Sequence, residues 1–240
     1  MAIVMGKLIS TLGWAGAALL AVGAIIDAFS PVFEGGGRIS AAFFMIRDMT
    51  YASREDSVWT WYSVLLLAAV GVVFATLALI RRSNGESSIP YFCFAVVAAG
   101  MSIDEATLFH EKFAIAARLM GLSLPFTFSW LIIGIPFAVT AGVILLLLAR
   151  RIDATLRRRL IVAGAVFLLG AVGFELLGGI IVNFSDNLAA PGSRLLYQFV
   201  AMLEEGLELT GSLIALWAGL KAVDLQWIAQ RLSRKHAVSS

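Results

Sequence analysis

The chain has 240 residues, of which 60% are hydrophobic and 14% charged, and its mean hydropathy is +0.91. A soluble domain of this length has too little interior to hide so much apolar surface, so the composition excludes that class and indicates a protein surrounded by lipid. The net charge of +2 argues against a nucleic acid partner, and the single cysteine, Cys93, excludes an internal disulfide and any multi-cysteine metal site.

Six apolar runs are long enough to cross a hydrocarbon core, which takes roughly 20 residues of helix. In chain order they lie at about 8–29, 59–80, 90–111, 126–149, 159–182 and 194–222. The first run is too long for a signal peptide, so we expect it to be a retained span. The runs predict an all-α fold, a polytopic integral membrane protein with a six-transmembrane-helix bundle, and a single transmembrane domain over residues 1–222.

The orientation is predicted from lysines and arginines, which concentrate in cytoplasmic loops. Most of them lie in alternate connections and after the last run: Arg81, Arg82, Arg150, Arg151, Arg157, Arg158, Arg159, Lys221, Arg231, Arg234 and Lys235. We therefore expect a multi-pass protein of the cell membrane with both termini cytoplasmic. Apolar residues at helical spacing among the last basic residues predict an amphipathic basic tail over residues 223–240, lying on the cytoplasmic membrane surface.

The longest connection, residues 30–58, contains an apolar stretch that includes Phe43, Phe44 and Met49, which is typical of a short segment lying in the outer interface. Immediately after it, Trp59 and Trp61 open the second span. At that position they are interpreted as aromatic belt residues with a structural role.

Acidic residues inside spans cost at least ~2.5 kcal/mol each on insertion scales, so they indicate function. Lysine and arginine are confined to the ends of the spans that contain them. The acids and one imidazole are Asp104, Glu105, His110 and Glu111 in span three, Glu175 in span five, and Glu204, Glu205 and Glu208 in span six. At about 1.5 Å per residue, the three groups fall at overlapping depths in the outer half of the membrane or near its midplane. This overlap predicts one shared site.

Seven carboxylates and one imidazole without a basic partner cannot all stay charged in a low dielectric, so either several are protonated or cations hold them together. Oxygen-rich sites with one nitrogen suit iron, manganese, zinc or calcium. We therefore expect a divalent metal ion of unspecified identity. The candidate ligands are Asp104, Glu105, His110, Glu111, Glu175, Glu204 and Glu208. Glu205 and Glu175 are the candidate catalytic residues, with Glu205 moving protons.

Structural alternatives exist for part of this set. His110 and Glu111 are close enough to the outer interface to be simply hydrated, and Glu175 would also be stable as a protonated acid bonded to a neighbouring helix. Di-iron bundles place Glu-x-x-His on two helices, whereas this chain has one intramembrane histidine and lacks that spacing. A di-iron centre is therefore a weaker expectation than a metal site of some kind.

Three functions remain open at this stage. The first is a membrane metalloprotein, an enzyme acting on a lipid-soluble or outer-leaflet substrate. The second is a cation- or proton-coupled transporter, favoured by the similarity of GMSIDEATL in span three to AMLEEGLEL in span six but opposed by few polar residues for a pathway. The third is a small subunit of a larger membrane assembly. The expected partners are the lipid bilayer and either a lipophilic substrate or a cation. A homo-oligomer or a larger membrane assembly is also expected if the chain is a subunit.

Overall fold

The computed structural model describes residues 2–238 except 53, 55, 186, 187 and 189, and it describes side chains for residues 4–224 of that set. All the regular elements in this part of the chain are helices and none is a strand, as the sequence predicts. The helices are α1 (Ala2–Ala28), α2 (Arg38–Thr50), α3 (Val58–Ser83), α4 (Ile89–Thr107), α5 (Phe109–Leu119), α6 (Leu131–Ala149), α7 (Ala154–Leu168), α8 (Glu175–Phe184) and α9 (Pro191–Val238). A π-helical segment, Leu169–Phe174, joins α7 to α8, so Ala154–Phe184 forms one rod.

Five helical segments in the described residues are long and apolar enough to cross a membrane: Val4–Ala28, Val58–Ser83, Ile89–Thr107, Leu131–Ala149 and Ala154–Phe184. Their outer faces expose large apolar side chains such as Trp14, Val72 and Phe137, as lipid contact requires. These helices indicate a membrane protein. The sixth predicted run, 194–222, lies inside α9, which contains three glutamates and is not among the five.

Helix ends differ from the predicted spans where local capping decides them. Span five begins at Ala154 instead of 159 because the Asp153 carboxylate accepts hydrogen bonds from the backbone N–H groups of Thr155 (2.9 Å) and Leu156 (3.0 Å). Span three ends at Thr107 instead of 111, because Leu108 adopts a left-handed conformation with φ 55°. Helix α9 continues past residue 222 without a break, and the side chains of the predicted tail from residue 225 onwards lie outside the described residues.

The core is built around α3, which packs against α4 and α9. Trp59, Phe74 and Leu77 of α3 are at most 1% exposed. The Ser102 hydroxyl of α4 donates a hydrogen bond to the Val64 carbonyl of α3 at 2.9 Å. The bond gives this hydroxyl a partner that lipid could not provide. Helix α9 also packs against α1, α7 and α8, which makes it the element shared by most of the bundle.

Helix α2 is fixed across the end of α1 by a buried carboxylate. Asp27 is 2% exposed, and its two oxygens accept hydrogen bonds from Arg47 of α2 and Gln198 of α9. Arg194 lies 4.0 Å from the same carboxylate and donates to the Ser30 hydroxyl at 2.6 Å. This ion pair network connects α1, α2 and α9 at one end of the bundle.

The rod formed by α7 and α8 approaches α9 at two glycines. A Cβ at Gly211 would lie 2.7 Å from the Ala163 carbonyl oxygen and 2.8 Å from the Phe167 nitrogen. A Cβ at Gly170, in the π-helical segment, would lie 2.7 Å from the Glu204 carbonyl oxygen and 3.0 Å from Glu208 Cγ. Contact with backbone atoms leaves no flexible side chain to move aside, so both positions require glycine for close packing.

We predict that Gly211→Ala destabilises the protein by about 1–3 kcal/mol, because the added methyl group forces α7 away from α9. Gly100→Ala is the matched control, since a Cβ at Gly100 meets no atom within 4 Å. Thermal unfolding in detergent measures both variants. Equal midpoints for the two variants would contradict the close packing described here.

Candidate functional site

The first part of the site is built at the break between α4 and α5. Asp104 Oδ1 accepts a hydrogen bond from the His110 backbone N–H at 2.8 Å, and Asp104 Oδ2 lies 2.9 Å from His110 Nδ1. Leucine rarely adopts the left-handed conformation of Leu108, so these two bonds stabilise a backbone turn that the local sequence does not favour. The turn ends the transmembrane segment and carries His110 back towards the acids.

Glu175 begins α8, immediately after the π-helical segment. Its Oε1 accepts a hydrogen bond from Trp130 Nε1 at 3.2 Å, and the Trp130 ring makes an edge-to-face contact with the His110 ring at 4.9 Å between centroids. The Glu175 carboxyl group also lies close enough to that of Glu204 in α9 for the two to form a hydrogen bond when one of them is protonated. A series of side-chain contacts therefore runs from Asp104 through His110, Trp130 and Glu175 to Glu204.

The glutamates of α9 complete the site. Glu205 Oε2 accepts a hydrogen bond from Trp59 Nε1 at 2.5 Å, which joins α9 to α3. Glu105 of α4 lies within electrostatic range of Glu205 and Glu208. Among the described residues, the charged groups that act most strongly on the three α9 glutamates are other carboxylates. The indole N–H of Trp59 thus takes the place of a basic partner.

The structure brings together most of the predicted site residues. These are Asp104, Glu105, His110, Glu175, Glu204, Glu205 and Glu208, which we call the acid cluster. Glu111 is exposed on α5, one residue beyond His110. Within the described part of the chain, no three His, Cys, Asp or Glu side chains are already grouped closely enough to hold a metal ion. The metal ligand set therefore stays a prediction.

Two tryptophans contact the acid cluster, although the sequence interpretation did not include them in the site. Trp59 was interpreted as an aromatic belt residue, yet it is 1% exposed and hydrogen-bonded to Glu205. Trp130 lies just before α6 and connects His110 to Glu175. The sequence feature that indicates such partners is the shortage of lysine and arginine near the acids. Carboxylates inside the bundle then need N–H donors from neutral side chains such as tryptophan.

His110 lies in α5, outside the spanning segments. Burial lowers the pKa of His110, but the hydrogen bond and negative charge of Asp104, with Glu175 and Glu111 nearby, outweigh burial and raise the pKa above 6.5. Protonation of the ring is thus favoured in the folded state. The Asp104–His110 pair makes its full contribution to stability at pH values below the ordinary pKa of histidine. This contribution is lost as pH rises through the raised pKa of His110.

We predict that Asp104→Asn lowers the pKa of His110 in metal-free protein, because the variant removes the negative charge that favours the imidazolium. NMR titration of the imidazole signals measures this pKa, and His236, the second of the two histidines, is an internal reference. Glu111→Gln is the matched control, with a smaller effect expected from an exposed acid. An unchanged His110 pKa in Asp104→Asn would show that the pair does not form.

We also predict that Trp59→Phe destabilises the protein by about 1–3 kcal/mol, because the variant leaves a partly buried Glu205 oxygen without its donor. Trp61→Phe is the control, since Trp61 is 64% exposed. Adding Glu205→Leu to Trp59→Phe should restore part of the lost stability by removing the unpaired carboxyl group. Unfolding midpoints in detergent measure the three variants, and no restoration in the double variant would contradict the pairing.

Comparison with curated proteins and with solved structures found no match. Residues 12–223 match the family described as Domain of unknown function (DUF8692). The matched region contains the whole acid cluster together with Trp59 and Trp130, and it covers most of the chain. The chain therefore belongs to the DUF8692 family.

Proposed function

We propose that this protein is an integral membrane metalloprotein with six spans and cytoplasmic termini, whose acid cluster binds a divalent metal ion in the outer half of the bundle. The sixth span is the part of α9 within residues 194–222. The glutamates of α9 act on other carboxylates and on Trp59 of α3, so its acidic face is directed at the bundle interior. The predicted excess of lysine and arginine in alternate loops supports the orientation.

The convergence of the acid cluster is the observation that carries this proposal. The acids of α8 and α9 act on one another and on those of α4, and the basic group that acts on the α4 acids is the His110 imidazole of α5. Bringing like charges together in a low dielectric is unfavourable unless they are protonated or share a cation. A divalent cation would neutralise two carboxylates at once and would bind the same oxygen and nitrogen donors.

The donor set fits iron, manganese, zinc or calcium in chemistry. Asp104, Glu105, His110, Glu175, Glu204 and Glu208 would hold the ion after side-chain rotation, and the exposed Glu111 is left out of the proposed ligands. A bound metal would supply Lewis-acid or redox chemistry. Glu205, held by the Trp59 N–H, is positioned to accept or donate a proton beside the metal. We propose that the substrate is lipid-soluble, since the site lies within the bundle.

Proton- or cation-coupled transport is the second candidate function. The closeness of the Glu175 and Glu204 carboxyl groups favours it, because two neighbouring carboxyl groups avoid mutual repulsion by sharing a proton. A site that holds one proton between two helices is able to release it when the helices move apart. Transport would use the same residues as the metalloprotein. The two functions differ in whether protons or a metal ion neutralise the carboxylates.

We predict that detergent-purified protein, incubated with each of the four cations and dialysed, retains stoichiometric amounts of one of them. Glu204→Gln/Glu208→Gln keeps the size of both side chains and should lose the metal, as should Glu204→Ala/Glu208→Ala. Glu86→Gln, at an exposed acid outside the cluster, is the matched control and should keep it. Elemental mass spectrometry measures the bound metal.

Wild-type protein without metal under all four conditions would reject the metalloprotein proposal. Proton and cation flux into liposomes would then test the second candidate with the same variants. Flux that is lost in Glu204→Gln/Glu208→Gln and kept in Glu86→Gln would support transport, and flux equal in all variants would reject it.

A further inference from the structure

A cavity of about 330 Å³ lies between α3, α4, α6, α7 and α9. Its lining is apolar apart from one hydroxyl group, that of Ser212, among the described residues. Small residues from the surrounding helices create the space, including Gly142 of α6 and Gly164 of α7. The volume is at the lower end of the range of about 300–1,000 Å³ that is typical of ligand sites. The cavity therefore suits one slender apolar ligand.

The cavity lies one to two helical turns away from the acid cluster. Its lining residue Met101 is one helical turn from Glu105 in α4, and Ser212 is one turn from Glu208 in α9. Phe167, also in the lining, precedes Glu175 by two turns along the α7–α8 rod. The lining residues come before the acids in α4 and α7 and after them in α9, which runs in the opposite direction. All three helices thus place the cavity on the same side of the acids.

The cavity opens to the outside of the bundle between α6 and α7. Leu146 of α6 and Ile161 and Leu168 of α7 line the cavity, yet they are 50%, 44% and 42% exposed. The opening follows from the packing, because α6 contacts mainly α4 and α5 whereas α7 packs against α9. In a membrane this mouth faces lipid, so an apolar molecule would enter without crossing water.

We propose that this cavity binds the single hydrocarbon tail of a lipid-soluble substrate, with the polar end of that substrate at the acid cluster. The inference rests on the proposed function, which places the reacting polar end at the acid cluster. The class of substrate is a molecule with one linear or isoprenoid chain and a polar head. The volume favours one chain over the two of a diacyl lipid. The adjacency of the Ser212 hydroxyl and Glu208 marks where apolar lining gives way to polar groups.

The test uses a long-chain fatty alcohol with a diazirine in its chain, which crosslinks to neighbouring side chains on illumination. The full-length protein in lipid nanodiscs is labelled, and the modified residues are mapped by peptide mass spectrometry. Gly142→Leu and Gly164→Leu fill the cavity, and a Cβ at either glycine meets no atom within 4 Å. Gly100→Leu is the matched control, because that Cβ is equally free but Gly100 does not line the cavity.

We expect labelling in wild type and Gly100→Leu at lining residues such as Met101 and Leu145. The Gly142→Leu/Gly164→Leu variant should reduce that labelling about tenfold, a loss of about 1.4 kcal/mol of binding. Equal labelling in all three proteins, or labelling confined to outward side chains such as Phe137, would overturn the tail site.

Metal content measured on the same samples separates this inference from the proposed function. Bound metal without cavity-dependent labelling would reject the tail site and leave the metalloprotein in place. Cavity-dependent labelling without metal in any sample would support the tail site and reject the metal.

Discussion

The free-energy cost of placing carboxyl groups in a low-dielectric interior without basic partners governs the centre of this protein. An isolated ionised acid at that depth is unfavourable by several kcal/mol, whereas acids that share protons, N–H donors or a cation are not. The contacts follow this requirement. Glu205 accepts a hydrogen bond from the Trp59 N–H, Glu175 accepts one from the Trp130 N–H, and Glu204 lies close to Glu175. Each contact joins distant parts of the chain, so the stabilisation of the acids and the assembly of the bundle depend on the same contacts.

Close approach of the helices is the second condition for this network. The π-helical segment places Glu175 at the start of α8, and Gly170 within it lies against the Glu204 carbonyl of α9. A larger residue at Gly170 would push α9 away from the π-helical segment and separate the carboxyl groups of Glu175 and Glu204. Extra residues in π-helical turns are often found at functional sites, where they shift the direction of the side chains that follow. Here the segment sets the position of an acid that the α-helical repeat alone would direct elsewhere.

Local patterns in the sequence predict much of this architecture. Apolar runs of membrane length predict the helices, and acids at overlapping depths predict that Asp104, Glu175 and Glu204 belong to one site. The missed features depend on contacts between distant parts of the chain. Trp59 and Glu205 are 146 residues apart, and Asp27 and Gln198 are 171 residues apart. The turn at Leu108 is missed for a related reason: its backbone conformation is unfavourable for leucine and is stabilised by Asp104 bonding to His110, which helix periodicity cannot indicate.

The position of Trp130 links the mouth of the cavity to the acid cluster. Trp130 immediately precedes α6, the helix that forms one side of the mouth, and its ring and N–H contact His110 and Glu175. Helix α6 packs less extensively against α4 and α5 than α7 packs against α9, so it is the side of the mouth that moves most easily. A rigid displacement of α6 that widens the mouth also draws Trp130 away from Glu175 and removes a hydrogen-bond donor from the acids. Entry of a tail between α6 and α7 would therefore change the proton or metal affinity of the cluster, and loading of the cluster would change how readily the mouth opens.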